Sequence, residues 1–274
     1  MAKPSVILMG SKPGAVVALS ILLDRGWDVR AVVTTKRNLH PWIAGPTLGE
    51  FAAKKKVRVA AQDELSRDAA ADFVISYMYR NRVKPESLAL AGRAAVNFHA
   101  APLPEFGGWA FYSVAILENS PEYGCTCHYM DEGFDTGPLL RARRFPIEAA
   151  RETAYSLEQK AQIEMVDLFR EFCELAESGE PLPSTPQDPA KMRYMRREEF
   201  DALKAIPAGA DADTIDRYAR AFWYPPYELA RVRIGRIEVE VIPQIVKEEL
   251  AWQLHAGDLD RLRGGIPAPV SLGR

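Results

Sequence analysis

Cysteine is scarce: only Cys125, Cys127 and Cys173 stand in a chain of 274 residues. An odd trio cannot close a disulfide framework, and it fits a reducing compartment. Long hydrophobic runs are missing too. No uncharged apolar stretch approaches the roughly 18–20 residues of a spanning helix. Met-Ala-Lys-Pro before a single strand-like run lacks the pattern of a secretory signal. A cytoplasmic protein without a membrane partner is expected. Charge of one sign is also wanting: 35 Lys+Arg against 37 Asp+Glu leave a formal −2, which excludes a global basic field for nucleic acid or anionic bilayers. Internal repeats and low-complexity tracts are absent. What is there, 47% hydrophobic and 26% charged residues, is the composition of an ordinary folded chain, long enough for one medium and one small domain.

Apolar runs and helical periodicity alternate along the first part. Ser5 to Met9 reads as a strand, and Val16, Val17, Leu19, Leu22 and Leu23 then recur at helical spacing. Strands follow at Asp28 to Val33, Val57 to Ala60, Phe73 to Ser76 and Ala94 to Phe98, with a helical stretch from Thr47 to Lys55. Strands separated by helices imply an α/β fold: a Rossmann-like, mostly parallel sheet with helices on both faces. Gly124 to Met130 is a further strand, and from Thr153 an amphipathic helix runs to about Glu177 with Leu157, Met165, Leu168, Phe169, Phe172 and Leu175 inward. The Pro-rich stretch 179–190 reads as a linker between domains at 1–178 and 191–274. The second is small and partly β, because Val232, Ile234 and Ile237, Val239, Val241 flank Gly235-Arg236, a pair suited to a II′ hairpin turn.

Several motifs have bland readings. Gly10-x-x-x-Gly14 lacks the third glycine of a dinucleotide fingerprint and any Walker lysine, so a tight strand-to-helix turn is expected, with Ser11 or Lys12 available for a local anion contact. In Cys125-x-Cys127-His128 the cysteines face one way and the histidine the other, so no metal site is expected. His40 and His255 sit in loop-like contexts without a recognisable partner. Asn97 and His99 are more informative. Two apart at the carboxyl end of a buried strand, they send a carboxamide and an imidazole into the crevice where open α/β sheets bind ligands. Trp109, Phe111 and Tyr112 follow in an apolar helix, and Asp135-Thr-Gly137-Pro138 is a rigid turn able to present a carboxylate to the imidazole.

Asn97-x-His99, Leu103-Pro104, Gly107-Gly108, Gly124-x-Thr126-x-His128 and Asp135-Thr-Gly137 together resemble the folate-dependent formyltransferases over roughly residues 4 to 178. That superfamily includes methionyl-tRNA formyltransferase, glycinamide ribonucleotide formyltransferase and the sugar-nucleotide N-formyltransferases. The chain departs from its pattern with Ala100-Ala101 where Pro-Ser is usual and Phe106-Gly107-Gly108 where Tyr-Arg-Gly is usual. The resemblance implies catalysis by Asn97, His99 and Asp135 with 10-formyltetrahydrofolate as co-substrate. Asn97 donates to an oxyanion, His99 handles the proton of the attacking amine, and Asp135 orients His99 and favours its charged form. It also implies that folate lies against Ser76, Met78, Tyr79, Arg80, Leu103, Met130, Asp131 and Gly133.

The tail argues for one branch. A tRNA-binding member has a basic insertion after the second strand and a basic C-terminal domain. Here Lys36 and Arg37 lead into Asn-Leu-His-Pro, and the tail from Lys191 holds 14 basic and 13 acidic residues. Arg220-Ala-Phe222-Trp223-Tyr224-Pro-Pro-Tyr227 resembles the C-terminal region of the sugar-nucleotide enzymes. The resemblance therefore implies a small-molecule acceptor, an amino sugar on dTDP, GDP or UDP as in lipopolysaccharide biosynthesis, and no nucleic acid. Ser11, Lys12, Trp109, Arg220, Trp223 and Tyr224 are expected to bind it. A homodimer through the hairpin is expected as well. The alternatives are a methionyl-tRNA formyltransferase and a folate- or nucleotide-binding module without turnover.

Overall fold

The computed structural model describes residues 3–35, 43–109, 111–247 and 250–251. Lys36, Arg37, His40 and His255 lie outside the described residues. The elements are β1 (Ser5–Gly10), α1 (Pro13–Asp24), β2 (Asp28–Val33), α2 (Leu48–Lys54), β3 (Val59–Ala60), β4 (Ala71–Tyr77), α3 (Pro85–Leu88), β5 (Ala91–His99), β6 (Gly107–Gly108), α4 (Phe111–Leu117), β7 (Glu122–Tyr129), β8 (Leu139–Pro146), α5 (Ala154–Ser178), β9 (Tyr194–Met195), α6 (Arg197–Leu203), α7 (Ala212–Ala221), β10 (Arg231–Ile234) and β11 (Ile237–Glu240).

Seven strands form the main sheet in the order β3-β2-β1-β4-β5-β7-β8. The first five run parallel, and β7 and β8 are antiparallel to their neighbours. The strand order reverses between β1 and β4, and at such a switch point the carboxyl ends leave an open crevice. On one face Tyr77 and Phe98 stack with centroids 5.6 Å apart, and Phe98 meets Phe169 of α5 at 5.0 Å. On the other face Leu65, Ala69, Val83 and Leu90 pack with Ile7, Met9 and Val74.

Helix α5 starts where the sequence suggested. Thr153 Oγ1 accepts the Ser156 N–H at 3.0 Å while Ser156 Oγ accepts the Thr153 N–H at 2.9 Å, so a serine fills the position that glutamate usually takes in a capping box. Gly179, at φ 80°, ends the helix in the left-handed region.

Three features differ from the sequence reading. Strand β8 was not expected, because Arg141, Arg143 and Arg144 interrupt its apolar pattern; at a sheet edge such charges are tolerated, and here they pair with Glu164, Glu171, Glu105 and Glu122. The stretch 179–190 is tied to the sheet: Thr185 and Leu139 exchange backbone hydrogen bonds of 2.7 and 2.8 Å, and Gln187 is buried. Beyond it β9 pairs in parallel with β6, and Ile206, Ala221, Phe222 and Ala230 join the same core as Phe98 and Phe169. The hairpin turns at Gly235, at φ 61°, and its second strand stops at Glu240, short of Val241.

Candidate active site

A cavity of about 660 Å³ opens at the carboxyl ends of β4 and β5, roofed by residues of the tail. Strand periodicity delivers Asn97 and His99 to it from β5, and the β5–β7 register sets His128 opposite Asn97 and Thr126 opposite His99. The turn after His99 is pinned by Thr126, whose Oγ1 accepts the Leu103 N–H at 3.1 Å and donates to the Ala101 carbonyl at 2.8 Å.

His99 is 6% exposed, with Nε2 2.9 Å from the Phe106 carbonyl and Nδ1 3.6 Å from Asp135 Oδ1. A carbonyl only accepts, so Nε2 carries a hydrogen and Nδ1 is left to take up or release a proton beside the carboxylate. Asp135 Oδ2 accepts the Gly108 N–H at 3.0 Å. Gly108 is needed there: it sits at φ 85°, and a Cβ would come within 2.4 Å of the Met195 carbonyl oxygen. Burial alone would push the Asp135 carboxyl up; attraction to the imidazolium form of His99 and the hydrogen bond from the Gly108 N–H overcome it and hold the group well below the usual carboxylate range. The cavity floor thus combines an amide donor, a proton carrier and a fixed negative charge.

Of the residues expected to hold folate, Ser76, Met78, Tyr79, Arg80, Met130, Asp131 and Gly133 line the cavity. Leu103 does not. It is 2% exposed and packed into the interior behind the turn that Thr126 fastens. Of the expected acceptor contacts, Ser11, Lys12, Trp109 and Tyr224 line the cavity. Arg220 instead points into the protein, bonded to Asp216 and to the carbonyls of Ala149 and Glu152, so it is not free to meet a phosphate. Trp223 lies outside the cavity wall, its carbonyl accepting the Tyr155 N–H.

Two contributors escaped the sequence reading. Glu158, 3% exposed on α5, accepts from Lys12 Nζ at 2.9 Å and from the Tyr224 hydroxyl, while Lys12 Nζ also lies 2.9 Å from that hydroxyl. Its signal was an acidic residue on the inward stripe of an amphipathic helix. Gln187 donates to the carbonyls of Asp135 at 2.7 Å and Gly137 at 2.8 Å, which holds Asp135 at φ 57°. Its Pro-rich surroundings gave no such signal.

Beside Ser11 and Lys12 a second cavity of about 410 Å³ extends toward Thr34, Thr47 and Glu50. Cys125 and Cys127 are buried on the core side, where desolvation pushes the Cys125 thiol up to about 12. Among the described residues no group of three or more His, Cys, Asp or Glu is arranged to hold a metal ion, and no helix is long and apolar enough to cross a membrane.

Comparison with known proteins bears on the family to which the chain belongs. The chain is 32% identical over 194 residues to the methionyl-tRNA formyltransferase of Myxococcus xanthus, a match covering 67% of this chain and 62% of the length of that relative. Among solved structures, the N-formyltransferase of Helicobacter canadensis, in complex with folinic acid and dTDP-3-aminofucose, superposes with a TM-score of 0.70 at 22% identity, over 86% of this chain and 85% of that one. A 4-N formyltransferase from Francisella tularensis gives 0.72 at 14% identity, over 88% and 98%. At these identities the structural likeness is one of fold. The model of the formyl transferase family matches residues 19–171. A match over more than half of the sequence makes this chain a member of the formyl transferase family.

Proposed function

We propose that the protein is an enzyme that moves the formyl group of 10-formyltetrahydrofolate to the amino group of a nucleotide-linked amino sugar. The observation that carries this reading is the convergence of Asn97, His99 and Asp135 on the floor of one roofed cavity. The co-substrate supplies an electrophilic formyl carbon. Ser76, Met78, Tyr79 and the 130–133 loop offer it a wall of the size and mixed polarity that a pteridine needs. When an amine adds to that carbon, the oxygen becomes charged and an Asn97 N–H stands ready to donate to it. The amine must shed a proton, and His99 Nδ1 is the free position to receive it and return it to the departing nitrogen. Asp135 balances the imidazolium so formed.

The acceptor reading rests on the near-neutral tail, on the aromatic and polar roof, and on a fold shared with an N-formyltransferase solved with dTDP-3-aminofucose. The identity to the Myxococcus enzyme favours a second reading, methionyl-tRNA as acceptor. The two demand different electrostatics. A tRNA needs several phosphate contacts, so its KM rises steeply with salt, whereas a nucleotide sugar responds weakly. Lys12 is paired with Glu158, and the arginines on the cavity wall are Arg80, Arg82 and Arg197. Incubation with amino-sugar nucleotides and 10-formyltetrahydrofolate, read by the mass of the acceptor, tests the proposal. Formylation of charged initiator tRNA alone would reverse it, and no transfer in a single turnover would leave a binding module.

A homodimer belongs to the same proposal. Val232, Ile234, Ile237 and Val239 share one face of the hairpin; Val232 packs partly against the core while Ile234 and Ile237 stand open at 64% and 66% exposure, and Arg231, Arg233, Glu238 and Glu240 pair on the other face. A two-stranded ribbon with an open apolar face is stabilised when a second copy covers it.

A further inference from the structure

His128 takes no part in the chemistry described above, yet it is 2% exposed and faces the cavity beside Asn97. Both of its ring nitrogens have partners. Nδ1 lies 2.8 Å from the Tyr129 carbonyl, which has no hydrogen to give, so Nδ1 carries one. Nε2 lies 3.1 Å from Asn97 Nδ2, an amide nitrogen that only donates, so Nε2 is bare and accepts. Asp135 Oδ1 also approaches Nε2, but at 3.6 Å it is beyond hydrogen-bonding reach. The ring is therefore neutral, with its tautomer set by the backbone of its own strand.

We propose that His128 is a positioning residue that decides which end of the Asn97 amide meets the substrate. By accepting one N–H of Asn97 it turns the second N–H of the same nitrogen toward the cavity. Without that acceptor no hydrogen bond among the described residues distinguishes the two ends of the amide, and the flipped form presents a carbonyl oxygen where a donor is needed. A developing oxyanion is stabilised by the first and repelled by the second. The catalytic consequence rests on the formyl-transfer reading; the tautomer does not.

Two measurements test this. The chain has four histidines, so ring nitrogen spectra of ¹⁵N-labelled protein at neutral pH are tractable, with His128 assigned by its loss in His128→Gln. The expected pattern is a protonated Nδ1 and a bare Nε2 whose resonance moves in Asn97→Ala. A proton on Nε2, in either the other tautomer or the cation, or a resonance indifferent to Asn97→Ala, overturns the proposal whether or not the protein transfers formyl groups. In kinetics, His128→Phe is expected to lower kcat about a hundredfold, the scale seen when an oxyanion donor is lost, with both KM values nearly unchanged. In an Asn97→Ala background the same substitution should cost less than about threefold, because residues that act through one another are not additive. His128→Gln, which keeps an acceptor, should recover most of the rate. Losses that multiply, from variants whose melting shows them folded, contradict action through Asn97. Wild-type protein with no transfer at all strikes the formyl-transfer reading and leaves the spectra to decide the tautomer.

Discussion

Gln187 reaches across 52 residues of sequence to Asp135, its side-chain amide donating to the Asp135 carbonyl at 2.7 Å. With the Gly137 carbonyl taking the second hydrogen at 2.8 Å, one amide holds both sides of the turn that carries the carboxylate. The residue belongs to the stretch whose prolines suggested a passive connector.

Gln187→Ala leaves two carbonyls without their donor, at a cost of about 1–3 kcal/mol in stability, measurable by urea unfolding. It also frees Asp135 from its left-handed backbone, so kcat is expected to fall at least about tenfold with the folate KM nearly unchanged. Full activity in a destabilised variant would reduce Gln187 to a structural part.

Asn97→Ala and His99→Asn should lower kcat and kcat/KM together while folate binding, followed by fluorescence, stays intact. For Asn97 the expected loss is about 10²–10³-fold in kcat. Weaker folate binding with an unchanged kcat would make both residues binding groups.

Two carboxylates in particular should contribute to acid sensitivity. Hydrogen bonds from Arg25, then Trp27 and Lys3, outweigh burial and hold Glu177 at about 2 against an ordinary 4.5. Its folded value is the lower one, so its contribution is complete above about 4.5 and is lost as the pH falls toward 2. Asp135, held lower still, loses its contribution over the same fall and beyond it. Unfolding of Glu177→Gln and Asp135→Asn between pH 7 and pH 3 should show a shallower decline than wild type; parallel curves would refute the assignment.

Tyr224→Phe removes a hydroxyl shared by Lys12 and Glu158 and should raise the acceptor KM several-fold while sparing the folate KM. Trp223→Ala, outside the cavity wall, should leave both unchanged. Equal effects of the two would mean the aromatic run acts as a packing unit.

Ile234→Lys, placed on the open hairpin face, should shift a sedimenting dimer to monomer with little change in melting temperature. A wild-type monomer at every concentration disposes of the dimer.

Much of the sheet could be read from the sequence, because buried parallel strands are unbroken apolar runs. Ser5 to Met9 falls within β1 for that reason, and α5 starts where the Thr153 cap predicts. The three residues on the cavity floor were legible for a related reason: strand periodicity aims Asn97 and His99 at one face, and a rigid turn presents Asp135. Strand β8 was hidden by arginines that an edge position excuses. Arg220 and Trp223 were misplaced because neighbours in a sequence run need not share a face: Arg220, in the last turn of α7, points inward to the 149–152 carbonyls. Glu158 and Gln187 act on partners 146 and 52 residues away, and no local pattern encodes such a reach.

The β6–β9 pairing bears on how such proteins can be re-engineered. Gly108 lies against the Met195 carbonyl, Gly107 donates to the Arg193 carbonyl at 3.0 Å, and the Gly108 N–H on that same strand holds Asp135. A chimera that grafts a foreign tail after residue 178, to borrow another acceptor preference, would discard the strand on which this turn rests, along with Gln187. The workable unit of exchange begins beyond Met195, so that the graft changes the roof and leaves the floor's own support in place.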